Sequence, residues 1–317
     1  MTRQRRYALE ERAAAVVTPL AAFLPRRAAL ALGRSLGRFW GDLDGRHFAI
    51  AADNLRRSFP QWDEERVRRT ARAVYAHLGE LLIDLLWTSR RSKEEVLSFV
   101  EIAGREHLQE ALAAGRGVLY VTGHFGNWEL NALAHAWLFG PVSVVARALD
   151  NPALDRRLNA ARSRSGNQVI YKQRALARVM KALRENQGVA ILVDQNVQEQ
   201  DGIFVEFFGR PAASTTVAAA LALKTGCAVL PVYALPLPGG RYRMVYDPPL
   251  RASASGDRDA DIARLTQQIA RRIEGWIRER PELWLWLHRR WKTQPPHPAE
   301  DPRVAPAPAE LHGEGGA

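Results

Sequence analysis

The residues with the clearest chemical potential are a histidine and a glutamate, His124 and Glu129, which follow a short apolar run. The run predicts a buried strand that ends at Thr122, and Gly123 and Gly126 permit a tight turn after it. Open α/β sheets bind ligands at the carboxyl ends of their parallel strands. We therefore expect His124 to lie at a ligand-binding edge.

The spacing of His124 and Glu129 suits general-base chemistry. On one continuous helix the two side chains would point about 140° apart, but a turn at His124 allows the chain to fold back. The carboxylate could then orient the imidazole and stabilise the imidazolium that forms when the ring takes a proton. Such a pair could deprotonate an alcohol. A structural interpretation stays open, because the helix dipole alone favours Glu129 near a helix N-terminus.

The strands and helices that would position this pair are predicted from about residue 117 onward, where the pattern of apolar residues changes. Short apolar runs then alternate with helical stretches, which predicts an α/β fold with a mostly parallel central sheet flanked by helices. The predicted strands are Gly117–Thr122, Val142–Ala146, Gln168–Tyr171, Val189–Val193, Ile203–Phe208, Ala228–Ala234 and Arg241–Tyr246. The predicted helices are Asp63–Trp87, Asn127–Leu138, Pro152–Arg164, Ala175–Asn186 and Ala260–Arg280.

We divide the chain into an N-terminal helical, membrane-associating layer (residues 1–100), an α/β core (101–294) and a disordered tail (295–317). The net charge is +11, and residues 1–72 hold 15 Arg against 8 Asp or Glu. This basic excess favours an anionic partner. Ala13–Leu24 is too short to span a bilayer, so we expect an amphipathic segment that lies on an anionic membrane surface. The single cysteine, Cys227, lies in a run of small apolar residues and is expected to be an inert core thiol.

Five blocks in order resemble the bacterial lipid A late acyltransferases, the lauroyl and myristoyl transferases. These belong to the wider group of acyltransferases that carry a His-x4-Asp/Glu motif. The blocks are Val118–Glu129, Ala146–Pro152, Val193–Asn196, Phe207–Ala212 with Ser214–Thr216, and Trp284–Thr293. The resemblance covers roughly residues 46 to 295.

The resemblance implies an O-acyltransferase that moves a fatty acyl chain from acyl carrier protein, or from acyl-CoA, to a hydroxyl of a membrane glycolipid. The acceptor would be a lipid A precursor, with a phosphatidylinositol mannoside or a lysophospholipid as alternatives. The reaction would take place at the cytoplasmic face of the bacterial inner membrane, and it would require no metal and no further cofactor. His124 would be the base, Glu129 its partner, and Arg147, at a strand end, an oxyanion or phosphate ligand.

The resemblance also implies a set of substrate-binding candidates. Asp194 would organise the pocket or form a turn, Arg210 would contact phosphate or the carrier protein, and Ser214 or Thr215 would cap the next helix. The Trp284–Trp291 cluster is either an interfacial belt or a last helix that docks on the sheet. The full set of substrate-binding candidates is Asn127, Asp194, Gln195, Arg210, Ser214 and Thr215.

Two rival functions are open at this point. A basic nucleic-acid-binding protein fits the charge, but the sequence has no zinc-finger spacing and no aromatic RNA-binding motif, so we expect no nucleic-acid partner. A member of the family that binds lipid without catalysis would have no need of His124 and Glu129. A zinc site is disfavoured because the His-Glu-x-x-His pattern is absent from the sequence.

Overall fold

The computed structural model describes residues 3–171, 175–252 and 255–296, and these ranges contain eleven α-helices and nine strands. The helices are α1 (Arg3–Phe23), α2 (Arg26–Leu43), α3 (Gly45–Ser58), α4 (Glu64–Thr88), α5 (Lys93–Leu97), α6 (Arg105–Ala113), α7 (Trp128–Phe139), α8 (Pro152–Ser163), α9 (Ala175–Arg184), α10 (Val217–Thr225) and α11 (Arg258–Glu279). The strands are β1 (Val100–Ala103), β2 (Val118–Thr122), β3 (Val142–Ala146), β4 (Gln168–Tyr171), β5 (Gly188–Leu192), β6 (Gly202–Phe207), β7 (Arg210–Thr215), β8 (Ala228–Leu237) and β9 (Arg241–Tyr246).

Seven strands form the central sheet, in the order β1-β9-β8-β2-β5-β3-β4. The five strands from β8 to β4 are parallel, whereas β9 pairs antiparallel with β8 and parallel with β1. This confirms the predicted fold class. The register places Thr122 of β2 opposite Leu192 of β5, so the segments that follow these two strands leave the sheet side by side.

The sheet is covered on both faces, as the hydrophobic runs predict. Leu119 and Val121 pack in the core that includes α9, α10 and α11, whereas Val118 and Tyr120 face α6 and α7. Leu55 of α3 and Val67 of α4 belong to the first of these cores. The N-terminal helices therefore share a core with the sheet.

The predicted helix over Asp63–Trp87 is confirmed as α4. The Asp63 carboxylate accepts a hydrogen bond from the main-chain N–H of Arg66 at 2.7 Å and caps the helix.

Two strands were not predicted. β1 is a four-residue edge strand that is only partly buried, and β7 reads Arg-Pro-Ala-Ala-Ser-Thr, which contains few residues with high β-propensity. The tail residues 297–317, for which we predict disorder, lie outside the described residues.

Helix α2 packs on α4 through glycines. A Cβ atom at Gly37 would lie 2.1 Å from the main-chain oxygen of Tyr75, and one at Gly79 would lie 2.2 Å from that of Gly33. The small residues of α2 therefore face the protein. Its large side chains Leu36 and Phe39 point outward, which reverses the usual arrangement of a surface helix.

The segment that contains the tryptophan cluster is neither of the two structures predicted for it. It begins with a 3₁₀ turn at Pro281–Leu283 and continues through turns. Trp284, Trp286 and Trp291 are all buried, so an interfacial belt at these residues is wrong. Among the described helices, none is long and apolar enough to cross a bilayer.

Candidate active site

The turn after β2 comes very close to neighbouring chain segments and needs two glycines. A Cβ atom at Gly123 would lie 2.9 Å from the Asp194 carboxylate. Gly126 has a φ of +59°, and a Cβ atom there would lie 2.0 Å from the main-chain oxygen of Ala234. Asn127 then caps α7 by accepting a hydrogen bond from the N–H of Leu130 at 3.0 Å, as predicted. The turn therefore has no room for larger residues at either glycine.

The imidazole of His124 is paired with Asp194. Its Nδ1 lies 2.9 Å from Asp194 Oδ1, and the His124 main-chain N–H donates to Asp194 Oδ2 at 2.7 Å. An ionised carboxylate only accepts hydrogen bonds, so Nδ1 carries a proton, and in the neutral form of the ring Nε2 is the acceptor. One carboxylate thus fixes the ring, its tautomer and the main chain of the turn. Asp194 follows β5, and the β2–β5 register brings it to His124.

Asp194 is ionised in spite of its burial. Burial alone would raise its pKa, but His124 and the indole N–H of Trp284, which donates to Oδ2 at 2.7 Å, lower the pKa to about 2. The carboxylate is 4% exposed and all of these contacts are internal. The sequence predicts that Asp194 organises the pocket or forms a turn, and the structure places it as the hydrogen-bond partner of His124, which the sequence does not predict.

Glu129 has a different partner from the one predicted. Its carboxylate forms a two-point ion pair with Arg162 of α8, with Arg162 Nε at 3.0 Å from Oε2 and Nη2 at 2.5 Å from Oε1. The hydrogen bond that orients His124 comes from Asp194 instead, so the predicted His124–Glu129 contact is wrong. The reason is that α7 continues from the turn and directs Glu129 towards α8, while the neighbouring strand supplies the carboxylate for His124.

The second nitrogen of His124 faces an accessible edge. The side chain is 21% exposed, and Nε2 lies 3.4 Å from Nε2 of Gln195. The ring also meets the edge of Trp128, with 5.2 Å between ring centroids. Among the described residues, Gln195 is therefore the predicted substrate-binding residue that lies beside His124 Nε2.

A narrow cavity of about 40 Å³ lies between α7 and the sheet, and one of its lining residues, Trp128, contacts the His124 ring. Trp128, Glu129 and Arg162 line it on one side. Its remaining lining is mostly apolar and comes from α7 and the central strands: Tyr120, Thr122, Asn131, Ala132, His135, Val142, Val144, Ala190, Leu192, Val232 and Tyr246. This volume is well below the range of about 300–1,000 Å³ that small-molecule sites occupy.

Asn127, Ser214 and Thr215 all make hydrogen-bonding contacts within the protein. Asn127 is 2% exposed and uses both atoms of its amide in internal hydrogen bonds. Ser214 is buried in β7 and accepts a hydrogen bond from the guanidinium of Arg290. Thr215 ends β7, and its hydroxyl lies 3.4 Å from the N–H of Val217. The predicted cap position is occupied by Thr216, whose side chain makes no capping bond.

The two predicted arginines lie away from His124. Arg147 follows β3 on the same sheet edge, but its side chain is 81% exposed and pairs with Asp150 at 3.5 Å. Arg210 begins β7 and stacks on Trp291, with 4.2 Å between the guanidinium carbon and the ring centroid. The structure does not bring either guanidinium into contact with the imidazole. Within the described residues, no group of His, Cys, Asp and Glu has the arrangement of a metal site.

The site also contains residues that sequence reasoning missed. Trp284 bonds Asp194, and His288 Nε2 accepts a hydrogen bond from the N–H of Asn196 at 2.9 Å. Burial lowers the pKa of His288 to about 4, so it stays neutral and keeps that lone pair. Only the motif block Trp284–Thr293 pointed to this segment.

Comparisons with known proteins identify the family of the chain. Residues 2–293 match the family described as bacterial lipid A biosynthesis acyltransferase. A lipid A biosynthesis lauroyltransferase of Escherichia coli (strain K12) is 29% identical over 278 residues, which cover 86% of this chain and 88% of that protein. A phosphatidylinositol mannoside acyltransferase of Mycolicibacterium smegmatis is 29% identical over 204 residues, which cover 62% and 63%. A lipid A biosynthesis palmitoleoyltransferase of E. coli is 27% identical, with coverage of 83% and 85%. The match over nearly the whole length places this chain in the bacterial lipid A biosynthesis acyltransferase family.

Proposed function

We propose that this protein transfers a fatty acyl group from a thioester donor to a hydroxyl of a membrane glycolipid, with His124 as the general base and Asp194 as its partner. The observation that carries the proposal is the asymmetry of the imidazole. Its Nδ1 is held by a buried carboxylate, while the side chain is partly exposed and its Nε2 lies near Gln195, with Trp128 against the ring.

The reaction follows from that asymmetry. His124 Nε2 takes the proton of the acceptor hydroxyl as the oxygen attacks the thioester carbonyl. The tetrahedral intermediate then collapses, the C–S bond breaks, and the imidazolium returns its proton to the leaving thiolate. Asp194 stabilises the imidazolium between these steps. No enzyme nucleophile is required, and Cys227 is unsuited to that role because it is buried and burial raises the pKa of its thiol.

The apolar lining of the narrow cavity under α7 is the proposed contact surface of the acyl chain, and the cavity must widen to admit the chain. Trp128 contacts the His124 ring and also lines the cavity, so we propose that the thioester end of a bound chain lies on the His124 side of Trp128. The Glu129–Arg162 ion pair shapes the polar part of the wall. In this proposal Glu129 keeps Arg162 in place beside the substrate, and its effect on His124 is indirect.

A lipid A precursor is the acceptor we favour, because the relatives of greatest coverage are named lipid A transferases. The similarity to a phosphatidylinositol mannoside acyltransferase makes that glycolipid the second candidate. Acyl carrier protein is the proposed donor and acyl-CoA its alternative. Both supply the thioester that the chemistry requires, and neither adds a cofactor to the enzyme.

The N-terminal helices support attachment to a membrane surface. Large apolar side chains of α2 recur at positions 32, 36, 39 and 43, which form one stripe of the helix, and all are exposed. Together with α1 the exposed apolar set is Leu9, Val16, Leu20, Phe23, Leu32, Leu36, Phe39, Trp40 and Leu43. Exposed apolar side chains that line one face of a helix are typical of an interaction site. We propose that it enters the cytoplasmic face of the bacterial inner membrane and holds the enzyme there as a monotopic or peripheral protein.

Arginines beside the apolar stripe would meet anionic lipid. A groove between α2 and α4 is lined by Arg38, Arg68, Arg69 and Arg72, together with Asp42 and Glu65. The two acidic side chains pair loosely with arginines, at 3.8 Å for Arg72–Asp42 and 3.4 Å for Arg69–Glu65. Both pairs are exposed, so we expect lipid phosphates to compete with them.

The test is acyl transfer by the purified protein in mixed micelles. Acyl carrier protein and CoA thioesters would be the donors, and a lipid A precursor, a phosphatidylinositol mannoside and a lysophospholipid the acceptors. We expect transfer to the lipid A precursor, and a loss of at least about 10²-fold in kcat for His124→Ala. The matched control is His107→Ala, which removes a histidine on α6 and should leave turnover unchanged. Near-normal turnover of His124→Ala would contradict the general-base assignment.

A further inference from the structure

A second buried carboxylate, Asp84 of α4, lies behind the catalytic turn. It has no exposed surface, and each of its oxygens has a partner. Oδ2 accepts a hydrogen bond from Asn127 Nδ2 at 2.7 Å, and Oδ1 accepts one from Arg26 Nη1 at 2.6 Å. Asp84 therefore connects the first residue of α2 to the residue that ends the catalytic turn.

Asn127 is the point where this connection reaches the turn. Its side-chain oxygen caps α7, its main-chain N–H donates to Ala234 at 3.0 Å, and its amide nitrogen is held by Asp84. The neighbouring carbonyl of Gly126 is within 3.1 Å of Nε2 of His77, which also belongs to α4. Helix α4 thus holds the back of the turn at two successive residues, while Asp194 holds its front.

Arg26 is itself held in place. Its Nε donates to the main-chain oxygen of Gly240 at 2.7 Å, and its guanidinium lies over the rings of Phe99 and Trp87, at 3.5 and 4.9 Å from their centroids. With so many contacts the guanidinium presents Nη1 to Asp84 in one geometry. Buried ion pairs add little net stability, since desolvation offsets the attraction. Stability alone therefore gives no reason to place this pair against the catalytic turn.

We infer that Asp84 is a positioning residue for acyl transfer: it fixes Asn127, and through Asn127 the turn that presents His124, while Arg26 fixes Asp84. The inference rests on the proposed function, in which His124 must meet the acceptor hydroxyl at hydrogen-bond distance. Displacement of a reacting group by about 1 Å is enough to cost on the order of 10²-fold in rate. A hydrogen bond that keeps the turn in position therefore preserves the distance between His124 and the acceptor hydroxyl.

The chain supplies a matched control for this inference. Glu80 lies one helical turn before Asp84 on α4 and also pairs with an arginine of α2, at 3.1 Å from Arg34. Both carboxylates join α4 to α2, but Asp84 alone of the two bonds Asn127 among the described contacts. Truncation of Glu80 therefore tests what loss of an α2–α4 ion pair does by itself.

The experiment compares Asp84→Ala, Asn127→Ser, the double variant and Glu80→Ala. Serine keeps an oxygen that can cap α7 but has no amide to reach Asp84. We expect Asp84→Ala and Asn127→Ser each to lower kcat roughly ten- to a hundred-fold with little change in KM. The double variant should fall no further than the more severe single variant, because both remove one link. Glu80→Ala should keep its kcat.

Amide hydrogen exchange of the segment 123–131 gives a second result that needs no turnover. Exchange should be faster in Asp84→Ala than in Glu80→Ala at equal global stability. If Asp84→Ala fails to fold, Asn127→Ser decides, since it leaves the Arg26–Asp84 pair intact. Normal kcat in Asn127→Ser, or equal losses in Asp84→Ala and Glu80→Ala, would overturn the inference. Absence of transfer by the wild-type protein would instead refute the proposed function, and the exchange result would still show whether Asp84 holds the turn.

Discussion

The turn after β2 and the helices α1 and α2 differ in which side chains point towards the interior. In the turn, polar groups point inward and are paired, so that His124 and Asp194 keep one geometry. In α2 the glycines point inward and the large apolar side chains point outward. The first arrangement holds the imidazole of His124 in one position. The second leaves the large apolar side chains of α2 exposed, where a partner could contact them. The turn with its fixed side chains and the helices with exposed apolar side chains are therefore separate parts of the chain.

The largest effect should come from the carboxylate that fixes the imidazole. Asp194→Asn would keep the shape of the side chain but cannot stabilise the imidazolium, and we expect kcat to fall by about 10²–10⁴-fold. Glu129→Gln should cost only about tenfold and act mainly on KM, because it loosens Arg162 at the cavity wall. Steady-state kinetics of both variants in the transfer assay provide the measurement. A Glu129→Gln enzyme as impaired in kcat as Asp194→Asn would restore Glu129 as the partner that acts on His124.

The next effect tests the outward face of the N-terminal helices. Phe23 is 87% exposed and Phe39 64% exposed, so replacement of both by Ser should leave the melting temperature unchanged. Burial of one such side chain in an apolar medium is worth about 1.5–3 kcal/mol. We therefore expect binding to anionic vesicles, measured by co-sedimentation, to weaken at least tenfold. Leu112→Ser is the control, since Leu112 is an exposed apolar residue of α6. Unchanged vesicle binding in the double variant would remove the proposed role of this face.

The inward face of α2 gives a prediction about stability. Gly37→Ala would place a methyl group 2.1 Å from the main-chain oxygen of Tyr75, so α2 must shift away from α4. We expect a loss of about 1–3 kcal/mol in the free energy of unfolding, measured in urea. Gly45→Ala is the control, because a Cβ atom at Gly45 meets nothing within 4 Å. If Gly37→Ala were as stable as the wild type, the close glycine packing would not hold α2 in place.

Much of the fold could be predicted from the sequence, since the alternation of apolar runs and helical stretches determines the parallel strands and their helices. The Gly-hinged turn and its Asn127 cap could be predicted for the same local reason. The partner of His124 could not, because it depends on β5 being the neighbour of β2, and strand order is not encoded in local pattern. Trp284 and Asp84 were missed for a similar reason: each reaches the site from a segment distant in sequence.

The sequence of α2 contains a pattern that predicts which face of the helix packs against the protein. Gly33, Gly37 and Gly41 are spaced by four residues, which places all three on one side of a helix. Such spacing permits close approach of another helix. With the glycines assigned to the interior, the large apolar residues between them must face outward.

An effect that is confined to acid, and absent at neutral pH, distinguishes the two regions by their titratable groups. The exposed charges beside the α2 stripe are mostly arginines, whose charge is constant. The core near the turn contains His77, whose pKa burial lowers to about 4 from its ordinary value near 6.5. The folded state thus disfavours a proton that the unfolded chain accepts. Stability should be complete above pH 6.5 and decline as the pH falls towards 4, with up to about 1.4 kcal/mol lost per pH unit for this one group.

His77→Gln tests that assignment, because glutamine can still donate to Gly126 but does not titrate. Urea unfolding at pH 5 and pH 7 should show a smaller difference in the variant than in the wild type. His135 and His288, whose pKa values burial also lowers to about 4, would account for the decline that remains. An equal pH dependence in variant and wild type would show that His77 is not the neutral donor that holds Gly126.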